Sequence, residues 1–112
     1  MPAAGVQSVS MPFKVKALVV LALNPNTRQI SDGLYSAEND TQVCRFFNTD
    51  ANQYRFRNTV LIDLHDGVNS FQGKIVNVSE TGFDIEWSIL SGTPSGTAEL
   101  LIFAMSHGKK LV

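Results

Sequence analysis

Cysteine, histidine and charge are all scarce in this chain, and each scarcity removes a class of function. The single cysteine, Cys44, excludes an intrachain disulfide. It lies in the apolar run Val43-Cys44-Arg45-Phe46-Phe47, where a buried, inert thiol is expected, and it is compatible with a reducing cytosol. The only histidines are His65 and His107, too few for a closed structural zinc site. Charged residues make up 17% of the chain, against about 25% in an ordinary soluble domain. The net charge of -1 and the pI of about 6.0 exclude a general attraction to nucleic acid or anionic membrane. The longest apolar run, Ala17–Leu23 (ALVVLAL), falls far short of the ~20 residues a membrane helix needs. Lys14 and Lys16 precede it, but Asn24-Pro25-Asn26 follows in place of a small-residue cleavage site. A buried strand is expected there, not a signal peptide.

What the chain does have is β-strand patterning. At 112 residues it is expected to form one domain. Residues 1–12 (MPAAGVQSVSMP) carry no side-chain charge and little alternation, so they read as an extended N-terminal arm. At ~3.3 Å per residue that arm reaches about 40 Å. Its apolar residues Val6, Val9 and Met11 are candidate partner contacts. Residues 13–108 read as a single β domain and 109–112 as a tail. Strands are expected at Phe13–Leu23, Thr41–Phe47, Tyr54–Arg57, Thr59–Leu64 and Phe71–Ser79. Thr27–Asp40 reads as a turn-rich connection with at most a short strand at Leu34–Ala37. No segment has sustained helical periodicity. Short strands at this spacing imply an all-β fold: an antiparallel β-sandwich, jelly-roll-like.

The stretch Gly82–Met105 is the most informative. Phe83, Ile85, Trp87 and Ile89 alternate with Asp84, Glu86 and Ser88, so one face is apolar and the other wet, and Phe83, Ile85 and Trp87 are expected in the core. With the loop SGTPSG and the run TAELLIFAM, the stretch reads as a β-hairpin. Its second strand is apolar on both faces: Ala98, Leu100, Ile102 and Ala104 on one, Leu101, Phe103 and Met105 on the other. A strand apolar on both faces needs cover on both. Leu101, Phe103 and Met105 are therefore expected to meet another subunit, in a homodimer or higher oligomer.

Catalytic signals are weak. In Asp63-Leu64-His65-Asp66, Asp63 and His65 share a strand face, but no third metal ligand is at hand. The plainer expectation is an exposed face with Val60, Ile62 and Leu64 in the core. No Gly-x-Ser-x-Gly elbow is present, and no Gly-rich loop leads into a helix. No enzyme activity, metal or cofactor is expected. In Tyr54-Arg55-Phe56-Arg57 the alternation is expected to turn the aromatics inward and the arginines outward. Arg55 and Arg57 then become candidates for pairing with carboxylates on a protein partner. Polar loops at Asn24–Arg28, Ser36–Gln42 and Asn48–Gln53 leave glycan binding as an alternative.

The segment GFDIEWSILSGTPSGTAELLIFAMSHG, with a Gly-Phe-x-Ile-x-Trp strand, a Gly/Pro/Ser/Thr loop and a final apolar strand, resembles β-sandwich structural proteins of tailed bacteriophages. Taken with the small size and the arm, it most resembles the capsid decoration (cement or staple) proteins of epsilon15-like short-tailed phages. The resemblance spans about residues 71–108. It implies a jelly-roll-like domain on the outer capsid surface, made in the host cytoplasm, that binds the major capsid protein and stabilises contacts between its subunits. It implies no direct contact with nucleic acid or membrane. A tail or fibre component touching host glycan is the alternative.

Overall fold

A computed structural model describes residues 4–24, 29–48, 53–65, 70–92 and 99–106. The described chain is all strand and turn. Its nine strands are β1 (Gly5–Ser10), β2 (Ala17–Asn24), β3 (Gln29–Ser36), β4 (Thr41–Asn48), β5 (Gln53–Arg57), β6 (Ile62–His65), β7 (Ser70–Ser79), β8 (Gly82–Ser91) and β9 (Glu99–Met105). They form two antiparallel sheets, ordered β1-β8-β7-β6 and β5-β4-β3-β2-β9, that pack face to face as a β-sandwich. Sequence neighbours pair within each sheet, so the order is that of two meanders with β1 and β9 added at their edges. The alternation of successive strands between sheets that marks a jelly roll is not seen among the described strands.

The core lies between the sheets. Val15, Leu18, Val20, Tyr35 and Phe46 come from the five-stranded side. Ile62, Leu64, Phe71, Ile75, Phe83, Ile85 and Trp87 come from the other. Phe83, Ile85 and Trp87 are buried as their alternation requires, but Ile89 is exposed near the end of β8. Cys44 is a buried free thiol.

Four expectations from the sequence are corrected. First, Gly82–Met105 is not a hairpin. Both edges of β8 are occupied, by β7 and β1, and β9 pairs instead with β2 in the opposite sheet. Crossing over lets Phe83 and Trp87 enter the core from one side and Leu100 and Ile102 pack on it from the other.

Second, the N-terminal segment is extended but is not a free arm. Gly5–Ser10 forms β1 on the edge of β8, with Gly5 opposite Trp87 and Ser10 opposite Gly82. Gln7 Oε1 accepts the indole N–H of Trp87 at 3.0 Å, and Met11 N–H donates to the Thr81 carbonyl at 2.9 Å. At Gly82, φ is 147°, and a Cβ there would collide with the carbonyl of Val9. Only glycine lets β1 close on β8.

Third, Gln29–Ser36 is a full strand and not a turn-rich connection. Its inward residues are Gln29, Ser31, Gly33 and Tyr35. These are mostly small or polar, which hides the strand from hydrophobic patterning. Gly33 is required by close approach, because a Cβ would strike the Leu61 carbonyl of the facing sheet. Fourth, β6 is buried on both faces, so Asp63 is not on an exposed one. The tail at 109–112 lies outside the described residues.

Candidate functional site

The two outer faces of the sandwich differ in chemistry. On the four-stranded sheet, Ser8 and Asp84, Lys74 and Glu86, and Gln72 and Ser88 face each other across the strands. Ser8 Oγ and Asn77 Nδ2 donate to the two Asp84 carboxylate oxygens at 2.8 and 3.0 Å. Those two hydrogen bonds, Asn77 first, hold the Asp84 carboxyl below its ordinary pKa of 3.8. This is a wet face.

The outer face of the five-stranded sheet is apolar. Across the strands, Phe103, Val19, Leu34 and Val43 form one row. Leu101, Leu21, Asp32, Arg45 and Phe56 form the next. Glu99, Leu23, Ile30, Phe47 and Tyr54 form the third. Leu34, Tyr54, Phe56, Leu101 and Phe103 are each more than half exposed. Phe47 and Tyr54 meet edge to face, with centroids 5.1 Å apart. At one end of the face, Val19, Leu34, Val43 and Met105 border a shallow depression of about 240 Å³. Exposed apolar side chains thus run across all five strands of this face.

Among the paired outward residues of the three rows, three charges interrupt the apolar character: Glu99 at the β9 edge, and Asp32 and Arg45 near the middle, which are bonded to each other. Arg45 Nε donates to Asp32 Oδ1 at 3.1 Å and Nη2 to Oδ2 at 2.7 Å, a two-pronged fork. That hydrogen bonding pushes the Arg45 pKa up, and the guanidinium lies 5.7 Å from the Phe47 ring centre. Neither Asp32 nor Arg45 stands out in the sequence. The hairpin register between β3 and β4 sets them opposite each other.

A second polar cluster lies between the sheets at the β5 edge. Asp63 is fully buried. Its Oδ2 accepts Arg57 Nε at 3.3 Å and has Arg55 Nε at 4.0 Å, and its backbone N–H donates to Ser31 Oγ at 3.1 Å. Asp63 Oδ1 and Arg55 Nη2 are buried without a hydrogen-bond partner among the described residues. Burial, then the Asp63 charge, push the nearby Cys44 thiol up to about 12, so it stays protonated and inert.

The sequence-derived candidates therefore divide. Leu101, Phe103 and Met105 lie on the apolar outer face. Arg55 and Arg57 do not point outward to a partner; they turn in to Asp63, and Tyr54 and Phe56 take the outer positions. The reason is the buried carboxylate, which needs a cation close by. Val6 is exposed on the β1 edge, whereas Val9 and Met11 pack partly on the core. No three groups among the described carboxylates, histidines and cysteines come together as metal ligands. No helix is long and apolar enough to cross a membrane, a statement restricted to the described residues. Comparison with protein-family models, with curated proteins and with solved structures finds no match to this chain.

Proposed function

We propose that this protein is a non-enzymatic structural component that acts by burying the outer face of its five-stranded sheet within a protein assembly. The assembly we propose is a bacteriophage capsid. There the protein sits on the outer surface, binds the major capsid protein and stabilises contacts between its subunits. One observation carries the assembly reading: three mainly apolar rows of side chains run across the sheet, with one ion pair set among them and Glu99 at the β9 edge. The low charged fraction, 17%, supports it. The capsid itself comes from the resemblance of residues 71–108 to decoration proteins. A packed genome pushes outward on a shell. Each clamp that buries apolar surface at roughly 25 cal/mol per Å² raises the work of separating subunits, and repetition over a shell multiplies the effect. Such a role needs no cofactor, nucleic-acid contact or membrane. The test adds purified protein to shells that lack it. Co-sedimentation and a higher temperature of DNA release are expected. Particles that are equally robust without the protein but fail to adsorb to cells would replace the clamp with contact to host glycan.

A further inference from the structure

We infer that the apolar face is covered by a second copy of this chain, in a two-fold dimer whose axis runs along the strands between β3 and β4. This rests on the assembly reading and names the occupant of the same surface. The first argument is charge. Asp32 and Arg45 are cross-strand neighbours within an apolar face, and the side chains keep 30% and 53% of their surface exposed. A partner able to cover them must offer a cation over Asp32 and an anion over Arg45. The face itself does so. A dyad in the interface plane, parallel to the strands and midway between β3 and β4, sets Asp32 opposite the partner copy's Arg45 and Arg45 opposite its Asp32. The fork uses Arg45 Nε and Nη2, which leaves Nη1 to reach across. The alternative dyad, perpendicular to the strands, would stack like on like and is disfavoured.

The second argument is shape and area. The same operation lays Leu34 over the other copy's Val43, and Leu21 over its Phe56, so apolar positions meet apolar ones in aligned sheet packing. The strands β2, β3 and β4 have eight residues each. β5 has five, so where β2 lies over β5 the overlap is about 17 Å long against about 26 Å for β3 over β4, giving about 400 Å² of flat footprint per copy. Doubled, that is about 800 Å² before side-chain relief and the β9 overhang are added, which brings it to the scale of the roughly 1,000 Å² at which specific interfaces begin. Strand β9 overhangs, placing Leu101 beside the edge aromatics of the other copy.

The test is made on purified full-length protein without shells, by sedimentation equilibrium. The wild type is expected at about twice its 12.3 kDa mass in the micromolar range. Asp32→Arg places two cations on each face and Arg45→Asp two anions. Each variant alone should raise the dimer dissociation constant by about 100-fold or more. Mixed one to one, they should form a heterodimer, because every cation then meets an anion across the axis. Should a charge variant unfold on melting, Leu34→Glu on the same face serves, with a monomer expected. A wild type that stays monomeric at about 100 μM, charge variants that dimerise like the wild type, or folded variants that fail to combine overturns the inference. A dimer that leaves shells bare keeps the inference and defeats the capsid reading; a monomer that still decorates shells does the reverse.

Discussion

Asp63 is fully buried, and the two arginines on β5 turn inward to meet it. Removing the carboxylate would leave two guanidiniums facing the sandwich interior without a counter-charge. Because both keep about a third of their side-chain surface in water, Asp63→Asn should cost at the lower end of the range for breaking a buried pair, about 3 kcal/mol. The midpoint of urea unfolding measures it. Replacing Asp63, Arg55 and Arg57 together by leucine and methionines should recover most of that loss. Failure to recover would assign the cluster a role other than charge balance. Trp87 fills the core beside Phe71, with ring centres 5.9 Å apart, and its indole N–H is bonded to Gln7. Trp87→Ala should cost about 3–5 kcal/mol, read from thermal or urea melting. An unchanged midpoint would contradict its buried placement. The Cys44 thiol, pushed from 9.0 up to about 12, gives a pH signature. A raised folded pKa means its contribution is complete below pH 9.0 and is lost as pH rises from 9.0 towards about 12. At pH 8 the folded protein should resist alkylation while the urea-unfolded chain reacts. Equal rates would show that the thiol is accessible.

At the scale of elements, β1 shows how a weakly patterned segment is held. It is mostly exposed, and its attachments are the β8 ladder, the Gln7–Trp87 bond and the Ser8–Asp84 bond. Deleting residues 1–10 would strip a whole edge from β8 and uncover Trp87. The truncated chain should melt several degrees lower, since each kcal/mol shifts a domain of this size by roughly 4–8 °C. An unchanged melting temperature would return the segment to the status of a free arm. Acid should loosen the same strand. Asp84 is held below 3.8, so the bonds it accepts are intact above that pH and are lost as pH falls through the depressed value. Hydrogen exchange of β1 amides should therefore accelerate below about pH 3.8, before that of β2 and β3, and faster exchange should follow Asp84→Ala at neutral pH.

For the whole molecule, the asymmetry between the two outer faces is the feature that matters. One is mainly polar, with Ser8 and Asn77 bonded to Asp84; the other is built like a core layer without its facing layer. Phe103 contributes to the second and lies at its β9 edge. Phe103→Glu should leave the thermal midpoint of the monomer within about 2–4 °C, as for other surface positions, while weakening self-association. If it unfolds the chain, the residue belongs to the monomer core.

The sequence by itself determined the parts of this protein that follow from local pattern. Period-two alternation placed Phe83, Ile85 and Trp87 in the core, and the double apolar character of Leu100–Met105 announced a strand with a second apolar face, which the sandwich leaves exposed. Tertiary structure decided what local pattern does not encode. Strand pairing is non-local, so β8 and β9, adjacent in sequence, went to different sheets when better edges were free for each. Alternation fixes which residues share a face but not which face looks inward. In Tyr54–Arg57 that choice was set by Asp63, which follows six residues after Arg57 and is buried where only a cation can accompany it. The Asp32–Arg45 pair existed only once hairpin register had brought two ordinary charges opposite each other on an apolar sheet.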